Sequence, residues 1–360
     1  MRTSSSRDRY KLLGLVALLV AGLAAGGATL VNTRVERPTR QEFVNGQAAD
    51  RLRIAFDGAL PFKEIAAQLV AGLRYGLFGE GFKGVLVGEN GWLFSSEEFE
   101  ADLGFLPEDP RVEIGRVRDR LAALGIVLVI APVPAKVRIY GNELGERWRD
   151  VPFPWRYAAI LDLLDDLDVA APDLASAFIA QADAFPLFLR TDTHWGPAGA
   201  RLAAREIADT VIALPQASGL SRLSCTARVE GIATYPGDLL AFLPRHGVPW
   251  RPLPRADTLD VYKFDTVGGD EDGNEADLLF GAQEIPVALV GTSYSAESSW
   301  GFDGFLKEAL GMDVLNLAEE GEGPFQPMNT ALESGVLEEN GIRVVIWEIP
   351  ERYLPAGSLL

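Results

Sequence analysis

The chain has 360 residues, 48% of them hydrophobic, which is enough to bury a large core as one big α/β domain or two smaller ones. Its formal charge of −18, from 51 acidic against 33 basic residues, repels polyanions and argues against nucleic acid as a partner. A single cysteine, Cys225, excludes an intrachain disulfide, and two histidines leave a His/Cys metal cluster almost without ligands.

Residues Leu12 to Val31 carry no charge and follow Arg2, Arg7, Arg9 and Lys11. Twenty helical residues span about 30 Å, the hydrocarbon thickness of a bilayer, and the basic flank keeps the N-terminus cytoplasmic. A transmembrane signal anchor is therefore expected within residues 1–35, with the remaining chain outside the cytoplasm. The small residues Ala24 to Ala28 also offer a peptidase site, in which case the protein is released. Residues 36–80 read as a linker and a packing helix, with Ile65, Leu69, Leu73 and Leu77 on one face. Residues 81–360 form the main domain.

That domain opens with Val85 to Phe94, two apolar runs around Asn90-Gly91, a hairpin signal. Ile114, Val117, Leu121 and Leu124 predict a helix that Gly125 ends, and Ile126 to Ala131 reads as a strand buried in a parallel sheet. A helix over about 155–168, a short strand over Phe185 to Leu189 and a helix starting at Pro197 follow. Residues 216–284 break the pattern and read as an insertion of short strands and loops. Alternation then resumes: strand 285–290, helix 301–310, strand 313–317, helix 329–340 and strand 342–349 predict a mostly parallel sheet covered by helices.

Two segments carry chemistry. Asp192 and His194 sit in Thr191-Asp192-Thr193-His194-Trp195 after the Phe185–Leu189 run, and Ser293 sits in Gly291-Thr292-Ser293-Tyr294-Ser295 after strand 285–290. Ligands of open α/β sheets bind beyond the C-terminal strand ends, so topology alone brings the two segments to one edge. A serine hydroxyl needs a base, and the base needs an orienting group. Ser293 is the expected nucleophile, His194 the proton shuttle and Asp192 the group that holds the imidazole. Tyr294 beside the serine, and Gly321 and Gly323 in the loop Asn316 to Pro324, are the candidate substrate or oxyanion positions. His246 receives no role, and Glu348 and Arg352 are read as a structural pair. The acidic stretch Asp270 to Glu275 lacks the glycine and glutamate of an EF-hand, and no metal or cofactor is expected.

Several segments together resemble the AlgX/AlgJ-type alginate (exopolysaccharide) O-acetyltransferases, a branch of the SGNH-hydrolase-like proteins. They are Gly88 to Phe94, Pro132 to Lys136, Thr191 to Trp195, Gly291 to Ser295 and Glu348 to Arg352. Ordinary SGNH hydrolases place the serine block before the Asp/His block, whereas here, as in this branch, the order is reversed. An N-terminal anchor with no C-terminal carbohydrate-binding module sets the resemblance nearer AlgJ than AlgX. It implies a three-layer, flavodoxin-like parallel sheet with permuted motif order, and the triad Asp192, His194 and Ser293. It also implies acetyl transfer to an exported polysaccharide in the periplasm, beside a membrane-bound O-acyltransferase that brings the acetyl group across the inner membrane. No asparagine block for the oxyanion hole is found. The −18 charge repels a uronate polymer unless a basic patch exists locally, so a neutral or cellulose-like polymer stands beside alginate. Two further readings remain open: a carbohydrate acetylesterase using the same triad, and a non-catalytic glycan-binding or scaffold subunit using the insertion as its surface.

Overall fold

The computed structural model describes Thr39 and residues 63–103, 109–145, 152–268 and 285–359. The expected membrane segment Leu12–Val31 and the acidic stretch Asp270–Glu275 lie outside them. Among the described residues no helix is long and apolar enough to cross a membrane.

Helix α1 (Lys63–Phe78) precedes the hairpin β1 (Val85–Val87) and β2 (Leu93–Ser95). The hairpin turns at Asn90 and Gly91, whose φ angles of +51° and +83° suit the Asn-Gly pair, and Trp92 N–H closes the turn on Glu89 O at 2.8 Å. The face of α1 expected from spacing is not the packed one: Leu69 and Leu77 are exposed, whereas Ala71 and Tyr75 are buried. Gly72 and Gly76 are the reason, because they let residues 246–250 lie against the helix, with Val248 Cγ2 2.4 Å from where a Cβ of Gly76 would stand.

A four-stranded parallel sheet follows in the order β3 (Val127–Val133), β8 (Val344–Pro350), β6 (Val287–Val290), β7 (Val314–Asn316). Side chains alternate across it. Val129, Ala131, Val287, Leu289, Val344 and Ile346 enter one core with α5 (Leu174–Gln181), α6 (Pro197–Ile212) and α8 (Phe302–Leu310). Leu128, Ile130, Ala288, Val290, Val345 and Trp347 enter the other with α2 (Pro110–Ala123), α4 (Arg156–Asp166), α9 (Phe325–Ser334) and α10 (Val336–Glu339). Burial on both faces accounts for the continuous apolar strands.

All four strands run the same way, so their C-termini share one edge. At that edge β3 leads into α3 (Lys136–Tyr140), and β6 leads into α7 (Ser293–Ala296). Two expectations need correction. Phe185 to Leu189 is not a strand of the sheet: Phe188 makes only an isolated antiparallel bridge to Trp195, closed by Leu189 N–H to His194 O at 3.1 Å. The run is apolar because Leu187, Phe188 and Leu189 all sink into the first core, not because it pairs within a sheet. The insertion is not made of short strands: β4 (Leu223–Tyr235) and β5 (Asp257–Gly268) form one long antiparallel ribbon that packs along α8.

Candidate active site

Ser293 opens the single-turn helix α7 at the end of β6. Thr292 caps it, with Oγ1 accepting from Tyr294 N–H at 3.4 Å, and Ser295 N–H bonds to Thr292 O at 2.9 Å. The neighbouring strand sets this turn. Val290 lies in register with Trp347, so the next residue of β8, Glu348, faces the turn. Its carboxylate accepts from Thr292 N–H at 2.8 Å, from Thr292 Oγ1 and from Ser295 Oγ at 3.1 Å. Gly291 is glycine for the same reason, since a Cβ there would stand 2.5 Å from Glu348 Oε2. The sequence reading of Glu348 and Arg352 as a pair needs correction: the Glu348 carboxylate is taken up by Thr292 and Ser295 and shares no hydrogen bond with Arg352. Arg352 pairs instead with Glu97 at 3.2 Å and donates to Tyr294 Oη at 3.4 Å. Burial raises the Glu348 carboxyl above its ordinary range, opposed by the bonds from Thr292 and Ser295.

The second half of the site is the loop from Arg190 to His194. His194 Nε2 lies 2.7 Å from Ser293 Oγ, and His194 Nδ1 lies 2.6 Å from Asp192 Oδ1. The same carboxylate accepts from His194 N–H at 2.8 Å and from Asp238 N–H at 2.8 Å. Asp192 is 1% exposed, which raises its carboxyl, but the bonds from His194 and Asp238 outweigh burial and hold it below the ordinary value. It therefore adds stability at neutral pH that is lost as pH falls through that lowered value. The imidazole is fixed by aromatic rings: Trp300 stacks on it at 5.0 Å, and Tyr294 meets it edge-on at 4.6 Å.

The base of the β4–β5 ribbon clamps this loop. Asp257 accepts from Arg190 N–H at 3.1 Å, from Thr191 N–H at 2.8 Å and from Thr191 Oγ1 at 2.6 Å. Asp238 accepts from Thr193 N–H at 2.9 Å and from Thr193 Oγ1 at 2.6 Å. Asp192, His194 and Asp238 hold their potential ligand atoms within 4.8 Å of one another, a spacing that also suits a cation. Both carboxylates, however, already accept the hydrogen bonds just described, and His194 faces Ser293 with one nitrogen and Asp192 with the other. The arrangement suits proton transfer better than metal binding.

A profile of the family described as "SGNH hydrolase-like domain, acetyltransferase AlgX" matches residues 85–351. The chain belongs to this family of SGNH-like acetyltransferases. It is 38% identical over 334 residues to "Probable alginate O-acetylase AlgJ" of Azotobacter vinelandii, covering 92% of this chain and 83% of that one. It is also 38% identical over 355 residues to the protein of the same description in Pseudomonas putida, covering 98% and 91%. The structure titled "O-Acetyltransferase Domain of Pseudomonas putida AlgJ" superposes with a TM-score of 0.65 at 37% identity, covering 76% of this chain and 92% of that one.

In this SGNH-like acetyltransferase the remaining expected residues fall in different places. Tyr294 is 1% exposed and donates its hydroxyl to Thr193 O at 2.7 Å, so its side chain supports the histidine loop rather than facing a ligand. Gly321 and Gly323 have φ angles of +80° and +66°, which is why they are glycine, and Gly321 has nothing within 4 Å of its would-be Cβ. Their loop is tied to the serine turn by Glu319 N–H to Gly291 O at 3.2 Å.

Sequence reasoning gave Glu348 a structural role but not its partners, Thr292 and Ser295, and missed Asp238, Asp257 and Gly237. For the ribbon residues the signal was weak, because they lie in the stretch read as an insertion. A Cβ on Gly237 would stand 2.1 Å from Thr191 O. Gly237→Ala is therefore expected to push the 190–194 loop aside and lower turnover about 100-fold. Steady-state kinetics check this, with circular dichroism confirming that the fold survives.

Proposed function

We propose that the chain transfers acetyl groups onto polysaccharide hydroxyls through an acetyl-Ser293 intermediate. The observation that carries this is the 2.7 Å approach of His194 Nε2 to Ser293 Oγ, with Asp192 on the other ring nitrogen. Ser293 Oγ attacks the carbonyl carbon of an acetyl ester and gives its proton to Nε2. The tetrahedral intermediate collapses, and the donor's alcohol leaves with that proton. A sugar hydroxyl then attacks the acetyl-serine, its proton passing to Nε2 and on to the departing Ser293 oxygen. The developing oxyanion meets the Ser293 N–H, which has no hydrogen-bond acceptor among the described residues.

The relatives' descriptions make a uronate polymer the first acceptor to test. A local excess of basic residues supports it despite the net charge: Arg190, Arg251 and Arg255, against Glu89 alone, line one cavity of about 390 Å³ at the β1–β2 turn. Arg190 belongs to the histidine loop, and Arg255 is exposed with no partner among the described residues. The Arg255→Glu substitution is expected to lower kcat/KM for a mannuronate oligosaccharide about tenfold relative to a neutral glucan. An unchanged ratio removes the patch from acceptor binding. The decisive experiment incubates the protein with an acetyl ester and the oligosaccharide. Acetylated sugar by mass spectrometry is expected, and free acetate alone overturns transfer in favour of hydrolysis.

The same reading places residues 81–360 in the periplasm, held to the inner membrane by residues 1–35 and the 36–80 segment. Its support is the uncharged Leu12–Val31 run behind four basic residues. A membrane-bound O-acyltransferase as supplier of the acetyl group rests on the resemblance described above. Protease digestion of intact spheroplasts tests the placement, and a fully protected chain overturns it.

A further inference from the structure

Lys136 is fully buried. It stands at the start of α3, and its Nζ lies 2.6 Å from Leu93 O, 3.0 Å from Arg190 O and 2.8 Å from Asp192 O. Three carbonyls use all three protons of an ammonium. A neutral amine has two protons and a lone pair, and would leave one carbonyl facing that lone pair. The rings of Trp92 and Phe94 lie 5.1 and 5.2 Å from Nζ and add cation–π attraction. Carboxylates surround it: Glu98 from the turn after β2, Asp192 from the histidine loop, and Asp238 and Asp257 from the ribbon. Glu98 also accepts from Lys136 N–H at 3.1 Å and Val137 N–H at 2.9 Å, which fixes the backbone carrying the lysine. Arg352 is the remaining cation acting on Glu98, and Arg190 turns its own side chain to Asp257.

We propose that the Lys136 ammonium is a positioning group that locks the 190–194 loop to β2 and so holds Asp192 and His194 in register with Ser293. The proposal rests on Ser293 being the nucleophile. It explains a sheet-edge feature that the triad leaves unused: the loop belongs to no sheet strand, and beside the Leu93 N–H to Arg190 O bond at 2.8 Å this cation ties both its halves to β2.

Burial pushes Lys136 down to about 8, opposed by the carboxylates around it, starting with Glu98. The ammonium is thus present at neutral pH and lost above about 8. Because the folded value lies below the unfolded one, the unfolded chain binds more protons between them, and this group favours folding more as pH rises through that window. Loss of activity there is therefore separable from loss of stability.

The test follows turnover of an acetyl ester by the full chain across neutral and alkaline pH, for wild type, Lys136→Met and Lys136→Arg. Wild-type kcat should fall above about pH 8 while the melting temperature holds. Lys136→Met should lower neutral-pH kcat about tenfold or more, with little change in donor KM and no alkaline fall of its own. Lys136→Arg, charged throughout, should keep whatever activity it has into alkaline pH. Wild-type kcat in Lys136→Met, or the same alkaline fall in it, overturns the proposal. If Lys136→Met does not fold, hydrogen exchange of the wild type decides. Protection of the Leu93 and His194 amides should drop above pH 8 while that of the parallel sheet stays, and unchanged protection overturns the lock. Exchange does not depend on chemistry at Ser293, so wild-type turnover by Ser293→Ala would overturn the nucleophile and not this result.

Discussion

Replacing Ser293 with alanine is expected to lower acetyl-ester turnover and sugar acetylation by about 10⁴-fold or more, because among the described residues no other hydroxyl is held against His194 Nε2. Ser293 is half-buried at the first position of α7, and its side chain makes no other hydrogen bond among the described residues, so alanine removes the nucleophile without leaving a buried group unpaired. Its melting temperature should stay close to that of the wild type. Measuring both on one preparation separates catalysis from folding. In cells, unchanged polymer acetylation by a stably present Ser293→Ala protein would refute covalent catalysis and favour a scaffold role. His194→Gln should fall nearly as far, since triad members act as a unit and their losses do not add.

The second large effect is expected at Glu348, a residue that touches no reacting atom. Glu348→Ala leaves the buried Thr292 N–H without an acceptor and frees the hydroxyls of Thr292 and Ser295. One orphaned buried donor costs about 1–3 kcal/mol, and the void beside Gly291 adds to it, for a total of about 2–5 kcal/mol. The turn then relaxes, Ser293 Oγ drifts from His194, and turnover should fall about 100-fold. Glu348→Gln is the informative companion. A single amide oxygen placed where Oε2 lies still accepts from Thr292 N–H and Ser295 Oγ, so most stability and activity should return. Thermal melting and kcat for the two variants check this, and equal losses in both would show that the carboxylate's charge, not its acceptor geometry, sets the turn.

Much of the site was legible because its chemistry resides in rare residue types. With two histidines in the chain, Thr191-Asp192-Thr193-His194-Trp195 stood out, and the apolar run before Gly291 marked a strand end. The hairpin at Asn90-Gly91 was legible for a local reason, since that pair needs little beyond its own backbone preference. Errors arose where burial and pairing look alike in one dimension. Leu187, Phe188 and Leu189 are as apolar as a strand but sink into the core as part of a loop. On α1 the leucine stripe suggested the packed face, and two glycines reversed it by admitting residues 246–250. The ribbon went unrecognised as part of the site because Asp238 and Asp257 act through hydrogen bonds to residues 45 to 67 positions away. No local pattern encodes such distances.

The sequence by itself determined the alternation of buried strands and helices, and singled out Asp192, His194 and Ser293, which the fold brings within hydrogen-bond distance in that order, because periodicity and functional-group chemistry are properties of short segments. Only the tertiary structure decided how those residues are held. Parallel register places Glu348 under the serine turn, the ribbon's base supplies two aspartates to the histidine loop, and β3 ends where Lys136 meets three carbonyls. Each of these joins segments far apart in the chain, so each exists only once the core has closed and brought the strand ends to one edge.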